Sequence, residues 1–179
     1  MLSYKTKTNL LNIDLILEKL DIKNGDSVAD FGCGANGFFT FLCSKKVGEK
    51  GKVYGLDIIK SHLEKIKTEI KENKTKNIVL LWADLEKPVN ISPESLDIVI
   101  ISNVLHQTGK WDKVLKSAYQ CLKKGGKLLI IDWLKVNTLI NPITKVDKQK
   151  LVQEAQNLGF LGSKEFMAGE YSFGLIITK

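Results

Sequence analysis

The segment Val28–Phe39, VADFGCGANGFF, sets Gly32, Gly34 and Gly37 at GxGxxG spacing just after a carboxylate, Asp30. Glycines so spaced let a loop come close to a phosphate at a helix N-terminus. A carboxylate beside a pyrophosphate adds repulsion, whereas beside an ammonium or a sulfonium it attracts. Two more aspartates follow: Asp57 in GLDI, 20 residues beyond Gly37, and Asp84 in WADL. Asp57 stands where an acid can accept hydrogen bonds from ribose hydroxyls, and Asp84 where it could meet an exocyclic adenine amine. Asn103, in SNVLH, closes the next apolar run. Any one of these alone reads as a helix cap or a tight turn. Together, in order and without a compensating base, they favour an adenosine-bearing cation over a dinucleotide.

The elements that must position them are short apolar runs alternating with amphipathic stretches. Candidate strands are Ser27–Phe31, Lys52–Asp57, Ile78–Ala83, Leu96–Ser102 and Lys127–Trp133. DIVIIS and KLLIID are near-continuous apolar runs, as in parallel strands covered on both faces. Helices are expected at about Gly37–Lys46, Lys60–Asn73 and Lys110–Leu122, with an earlier amphipathic segment at Leu10–Leu20. This rhythm gives an open parallel sheet with right-handed crossovers. Its ligand crevice lies beyond the carboxyl ends of the strands, where Asp30, Asp57, Asp84 and Asn103 fall. In the tail, Asp147 can cap a helix, with Val146 and Leu151 as a hydrophobic staple and Gly159 as its stop. The runs Lys164–Met167 and Tyr171–Thr178 are separated only by Ala168-Gly169-Glu170, so they should be antiparallel neighbours.

The chain has 179 residues, 44% apolar and 26% charged, the composition of a soluble globular protein of one domain. No apolar stretch reaches membrane-span length, and MLSYKTKTNL has no signal-peptide core. No membrane partner is expected, and the cytoplasm is the expected compartment. Cys33, Cys43 and Cys121 form no CxxC, and His62 and His106 are the only histidines. No four-ligand zinc site can be assembled, so no metal is expected. The net charge of +7 comes from 27 basic residues that are all lysine. Lysine lacks the planar fork that arginine offers to phosphates and guanine. The densest run, Lys67–Lys76, is interleaved with Glu69 and Glu72, a solvated helix face. Nucleic acid is permitted as a partner but not favoured.

From about Gly25 to Trp133 the sequence resembles the class I S-adenosylmethionine-dependent methyltransferases. VADFGCGANGFF is similar to the family's first motif, GLDI to its ribose-binding acidic motif, and ADLEKP at Ala83–Pro88 to its adenine-proximal one. LDIVIISNVLHQ at Leu96–Gln107 and LKKGGKLLIIDW at Leu122–Trp133 are similar to its fourth-strand motif and the segment into strand five. The resemblance implies an α/β, Rossmann-like, doubly wound fold in three layers. Its seven-stranded sheet is mostly parallel, with an antiparallel last strand. One domain then spans 1–179: a helical segment over 1–24, a cofactor-binding core over 25–133, and over 134–179 a lid or linker, the last helix and the strand pair. S-adenosylmethionine is the implied cofactor. Asp30, Gly32, Cys33 and Gly34 would line its methionine moiety, with no redox role for Cys33. Asp57 would bind the ribose with Ile58 against the adenine, Asp84 and Leu85 would flank the adenine from the other side, and Asn103 would lie near the sulfonium.

Methyl transfer is an in-line displacement that needs a general base only when the acceptor must lose a proton. His106, three residues past Asn103, is the candidate base; it could equally shape the pocket. Asp132, ending strand five, could face the acceptor or cap the next turn. SNVLHQ lacks the proline-containing aromatic motif of the family's amino-methylating enzymes and resembles small-molecule methyltransferases such as the quinone-biosynthesis group. The three cysteines are not placed to hold arsenite. Leu134–Val146 and the N-terminal twenty residues remain as lid material. The leading expectation is a methyltransferase for a small-molecule acceptor. An RNA or protein methyltransferase, a non-catalytic S-adenosylmethionine-binding module and a nicotinamide dehydrogenase are the alternatives. The sequence does not fix the oligomeric state.

Overall fold

The apolar runs form the parallel part of one sheet in the computed structural model, which describes residues 11–134 and 146–179. These strands are β1 (Ser27–Phe31), β2 (Lys52–Asp57), β3 (Ile78–Trp82), β4 (Leu96–Ser102) and β5 (Leu122–Trp133). β5 starts earlier than its apolar run because Leu122 already pairs with Leu96 across a register shift, before the regular ladder begins at Ile98 and Lys127. β6 (Leu161–Met167) and β7 (Ser172–Thr178) complete seven strands in the order β3-β2-β1-β4-β5-β7-β6. β7 is antiparallel to both neighbours, as the short turn before it requires. β6 also begins earlier than its sequence suggests. It is an exposed edge strand, so Leu161–Lys164 carry no apolar alternation to mark it.

Alternation along the strands sorts their side chains between two helical layers. Ala29, Phe31, Val99, Ile101, Leu128 and Ile130 pack with α4 (Trp111–Cys121) and α5 (Lys148–Asn157). Val28, Val53, Ile98, Ile100, Leu129 and Ile131 pack with α1 (Ile13–Leu20) and α2 (Phe38–Val47). Leu63 and Ile66 of α3 (Lys60–Glu72) close on Cys33 and Phe41 beside them. This is the doubly wound three-layer arrangement.

Local signals set the helix ends. Asn12 accepts a hydrogen bond from the Leu15 amide at 3.1 Å and starts α1. Asp147 accepts from the amides of Gln149 at 3.0 Å and Lys150 at 3.1 Å, while Val146 and Leu151 are buried together as the staple. Gly159, at φ +100°, ends α5 in a backbone conformation that favours glycine. The expected lid segments fall largely on residues 1–10 and 135–145, outside the described residues. All parallel strands deliver their carboxyl ends to one rim, and the strand order reverses between β1 and β4.

Candidate functional site

The glycine loop leaves β1 and folds back over β2, because the amides of Gly32 and Cys33 both donate to the Leu56 carbonyl, at 2.8 and 2.9 Å. Gly32 has φ +82°, and a Cβ there would come within 2.4 Å of Val104 Cγ2. Gly34 has φ +63°, and a Cβ there would meet nothing within 4 Å. One glycine thus lets the turn after β4 approach; the other leaves its side of the loop open.

Asp57 joins the loop to β2. Its Oδ2 accepts from the Gly34 amide and its Oδ1 from the Ile59 amide, each at 2.8 Å. Asp84 turns the chain after β3, accepting from the Glu86 amide at 3.0 Å with Lys87 Nζ 3.3 Å away. Asn103 has φ +57°, its amide donates to the Ile131 carbonyl at 2.8 Å, and its own carbonyl accepts from Gln107 Nε2 at 2.7 Å. Its side-chain Oδ1 is buried and has no hydrogen-bond partner. A cleft of about 540 Å³ gathers Gly32, Cys33, Gly34, Asp57, Ile58, Asp84, Leu85 and Asn103 in one wall system, together with His62, Glu86, Val104, Gln107 and Thr108.

Asp30 is not in that lining. The alternation that turns Val28 toward α2 turns Asp30 the same way, and its buried carboxylate accepts from the Thr40 hydroxyl at 2.7 Å. Its charge still reaches the loop. Burial pushes the Cys33 thiol far up, and the carboxylates of Asp30 and Asp57 push it further.

His106 and Asp132 stand beside the cleft, and the structure pairs them. Asp132 Oδ1 lies 2.9 Å from His106 Nδ1, and the same carboxylate accepts from the amides of Trp133 at 2.9 Å and His106 at 3.3 Å. Asp132 is fully buried, on the face of β5 that also carries Leu128 and Ile130. In this structure its carboxylate is engaged by His106 and the local backbone. A carboxylate against Nδ1 favours the tautomer with the proton there and the lone pair on Nε2, in a side chain that keeps 8% exposure and is not itself in the cleft lining. His106 belongs to the short 3₁₀ turn Leu105–Gln107, whose neighbours Val104, Gln107 and Thr108 do line the cleft.

Two features escaped the sequence. Thr108 donates to Glu86 at 2.5 Å and Lys110 Nζ lies 3.2 Å from the same carboxyl, clasping the loop after β3 to the turn after β4. The Thr108 hydrogen bond, then Lys110, holds the Glu86 carboxyl below its usual range. His62, in the first turn of α3, brings Nδ1 to 3.3 Å from Asp57 Oδ2. The only signal for it was helical phase, since a residue so close after Asp57 faces back toward the end of β2.

Residues 22–168 match the family described as a methyltransferase domain. The chain belongs to that family. Within it, this methyltransferase domain is 34% identical over 116 residues to the demethylmenaquinone methyltransferase of Lactococcus lactis, covering 65% of this chain and 45% of that protein. It is 31% identical over 139 residues to the probable cobalt-precorrin-6B C(15)-methyltransferase (decarboxylating) of Saccharolobus solfataricus, covering 75% of this chain and 65% of that one. The methyltransferase domain thus spans less than two thirds of either relative's length. Its fold is that of a SAM-dependent methyltransferase crystal structure from Aquifex aeolicus, with TM-score 0.85, 23% identity, and coverage of 97% of this chain and 92% of that one. Among the described residues, no helix is long and apolar enough to cross a membrane.

Proposed function

We propose that this methyltransferase domain binds S-adenosylmethionine in the cleft and methylates a small-molecule acceptor. The observation that carries the reading is Asn103 Oδ1, buried in the cleft wall without a donor. Leaving such an acceptor unsatisfied costs about 1–3 kcal/mol, and an ammonium group supplies the missing donor. The rest of the cleft suits the same ligand. A carboxylate offers about four lone-pair sites, and backbone amides take two of those on Asp57, leaving acceptors for ribose hydroxyls. Ile58 and Leu85 provide apolar walls for a purine, Asp84 an acceptor for its amine, and Gly32, Cys33 and Gly34 a close, open-sided backbone. Asp30, set behind the loop, acts through its field on a cationic ligand rather than by lining the cleft.

When bound, S-adenosylmethionine supplies a methyl carbon already activated by its sulfonium. The chain's own work is orientation and proton handling. His106 accepts the acceptor's proton at Nε2, and Asp132 holds the proton at Nδ1 and stabilises the imidazolium that results. The relatives are named for demethylmenaquinone and a cobalt-precorrin, and a small acceptor is proposed for this chain by that likeness. Its three free, buried cysteines suit a reducing cytoplasm, the compartment we assign to it.

Incubation with methyl-labelled S-adenosylmethionine, a set of reduced quinones and total RNA tests this. Label is expected in an organic-extractable small product. Label confined to RNA or to protein contradicts the small-molecule acceptor.

A further inference from the structure

His62 lines the cleft beside Asp57, at the end proposed for the nucleoside, and has been given no role in donor binding so far. Its Nδ1 is buried, lacks a hydrogen bond of good geometry, and stands 3.3 Å from Asp57 Oδ2. The side chain as a whole keeps 30% exposure and lines the cleft, so the exposed part of the ring lies away from the buried Nδ1. A lone pair on Nδ1 would repel the carboxylate at this distance, whereas a proton there is attracted. Asp57 therefore fixes the neutral ring with hydrogen on Nδ1 and presents Nε2 at the cleft as an acceptor.

We infer that His62 is a further polar contact for the nucleoside half of the methyl donor, held in its accepting tautomer by Asp57, so that donor binding weakens when the imidazole is protonated. This rests on the proposal that the cleft binds S-adenosylmethionine. The sign follows from the geometry. Protonation turns Nε2 from an acceptor into a donor and strengthens the pull of Nδ1 on Oδ2. The first removes an acceptor that a ligand hydroxyl could donate to, and the second draws Asp57 Oδ2, which the same hydroxyls would bond, toward the imidazolium.

Among the described residues, the other titratable groups on the cleft walls are Cys33 from the glycine loop, Asp57 after β2, and Asp84 and Glu86 after β3. On α3, Lys60 lies over the Trp82 ring and Lys65 bonds Asn36 at 3.0 Å. Histidine is the side-chain type that ordinarily changes charge between pH 5 and 8.

Isothermal titration of the full chain with S-adenosylhomocysteine at pH 6 and pH 8 tests the inference without turnover. The wild type is expected to bind more weakly at pH 6. His62→Ala should bind about threefold to tenfold more weakly than wild type at pH 8, the worth of one hydrogen bond, and should lose the pH dependence. His62→Asn, which keeps a polar acceptor, should recover part of the affinity. Nitrogen-15 spectra of the wild type should show the His62 Nε2 resonance moving on ligand addition. Equal affinity and equal pH dependence in wild type and His62→Ala, or an unmoved Nε2 resonance, overturns the role of His62 alone. No binding by the wild type at either pH overturns the donor proposal and this inference with it.

Discussion

His106 Nδ1 lies 2.9 Å from Asp132 Oδ1, and that carboxylate has no exposed surface. A buried acid so placed selects one tautomer of the imidazole. His106→Gln should lower kcat by about 10²–10⁴, the usual worth of general base catalysis, for an acceptor that must lose a proton. Donor affinity should stay unchanged. Asp132→Asn should lower kcat too and move the His106 ring-nitrogen resonances toward the other tautomer. Steady-state kinetics with nitrogen-15 spectra check this; unaltered kcat in both variants contradicts a proton-transfer role.

Asp57 has a structural duty besides its proposed one, because it accepts from the amides of Gly34 and Ile59. Asp57→Ala leaves both donors without that partner. Affinity for S-adenosylmethionine should fall by at least about tenfold, since hydrogen bonds to a charged group are worth about 1.5–3 kcal/mol. Urea denaturation should show a loss of stability as well. Unchanged affinity would remove Asp57 from the ribose site.

Gly32 is required by a neighbour as much as by its own backbone. Gly32→Ala places a Cβ 2.4 Å from Val104 Cγ2 in a backbone conformation of φ +82°. The overpacking should cost about 1–3 kcal/mol. Val104→Ala in the same chain should restore part of that loss, leaving the backbone strain behind. A double-mutant cycle by denaturant unfolding measures the coupling; strict additivity would show that the two residues do not press on each other.

The sheet and most of the cleft were legible because their signals are local. Continuous apolar runs mark the parallel strands, and the polar residues ending those runs mark the rim, so Asp57, Asp84 and Asn103 could be placed from spacing. Orientation was harder to see. Asp30 sits on the right strand end but points toward Thr40, and only knowing which face of β1 meets α2 reveals it. The Asp132–His106 pair depends on β5 lying beside β4, a relation of sheet order absent from either motif. The long edge strand β6 was foreshortened because an exposed strand carries no alternation.

The Glu86 clasp should be acid-sensitive. Its folded-state titration lies below the usual glutamate range because the Thr108 hydrogen bond and Lys110 favour the charged form. A lowered folded value contributes stability above the ordinary value, about 4.3, and that contribution is lost as pH falls through the folded one. Thr108→Val should move the Glu86 titration back up in carbon-13 spectra. An unmoved titration would assign the effect to Lys110 instead.

Burial pushes the thiols of Cys33, Cys43 and Cys121 upward, so none should be a thiolate in the folded chain at pH 8. Labelling with a thiol reagent should be slow in buffer and complete in denaturant. Fast native labelling of Cys33 would contradict the packing of the glycine loop.

Calorimetric titration of the wild-type chain with S-adenosylmethionine and, separately, with NAD shows which ligand the cleft takes. Saturable binding of S-adenosylmethionine, weakened in Asp57→Ala and Asn103→Leu and unmatched by NAD, is the predicted result. Tight NAD binding with none for S-adenosylmethionine would contradict it.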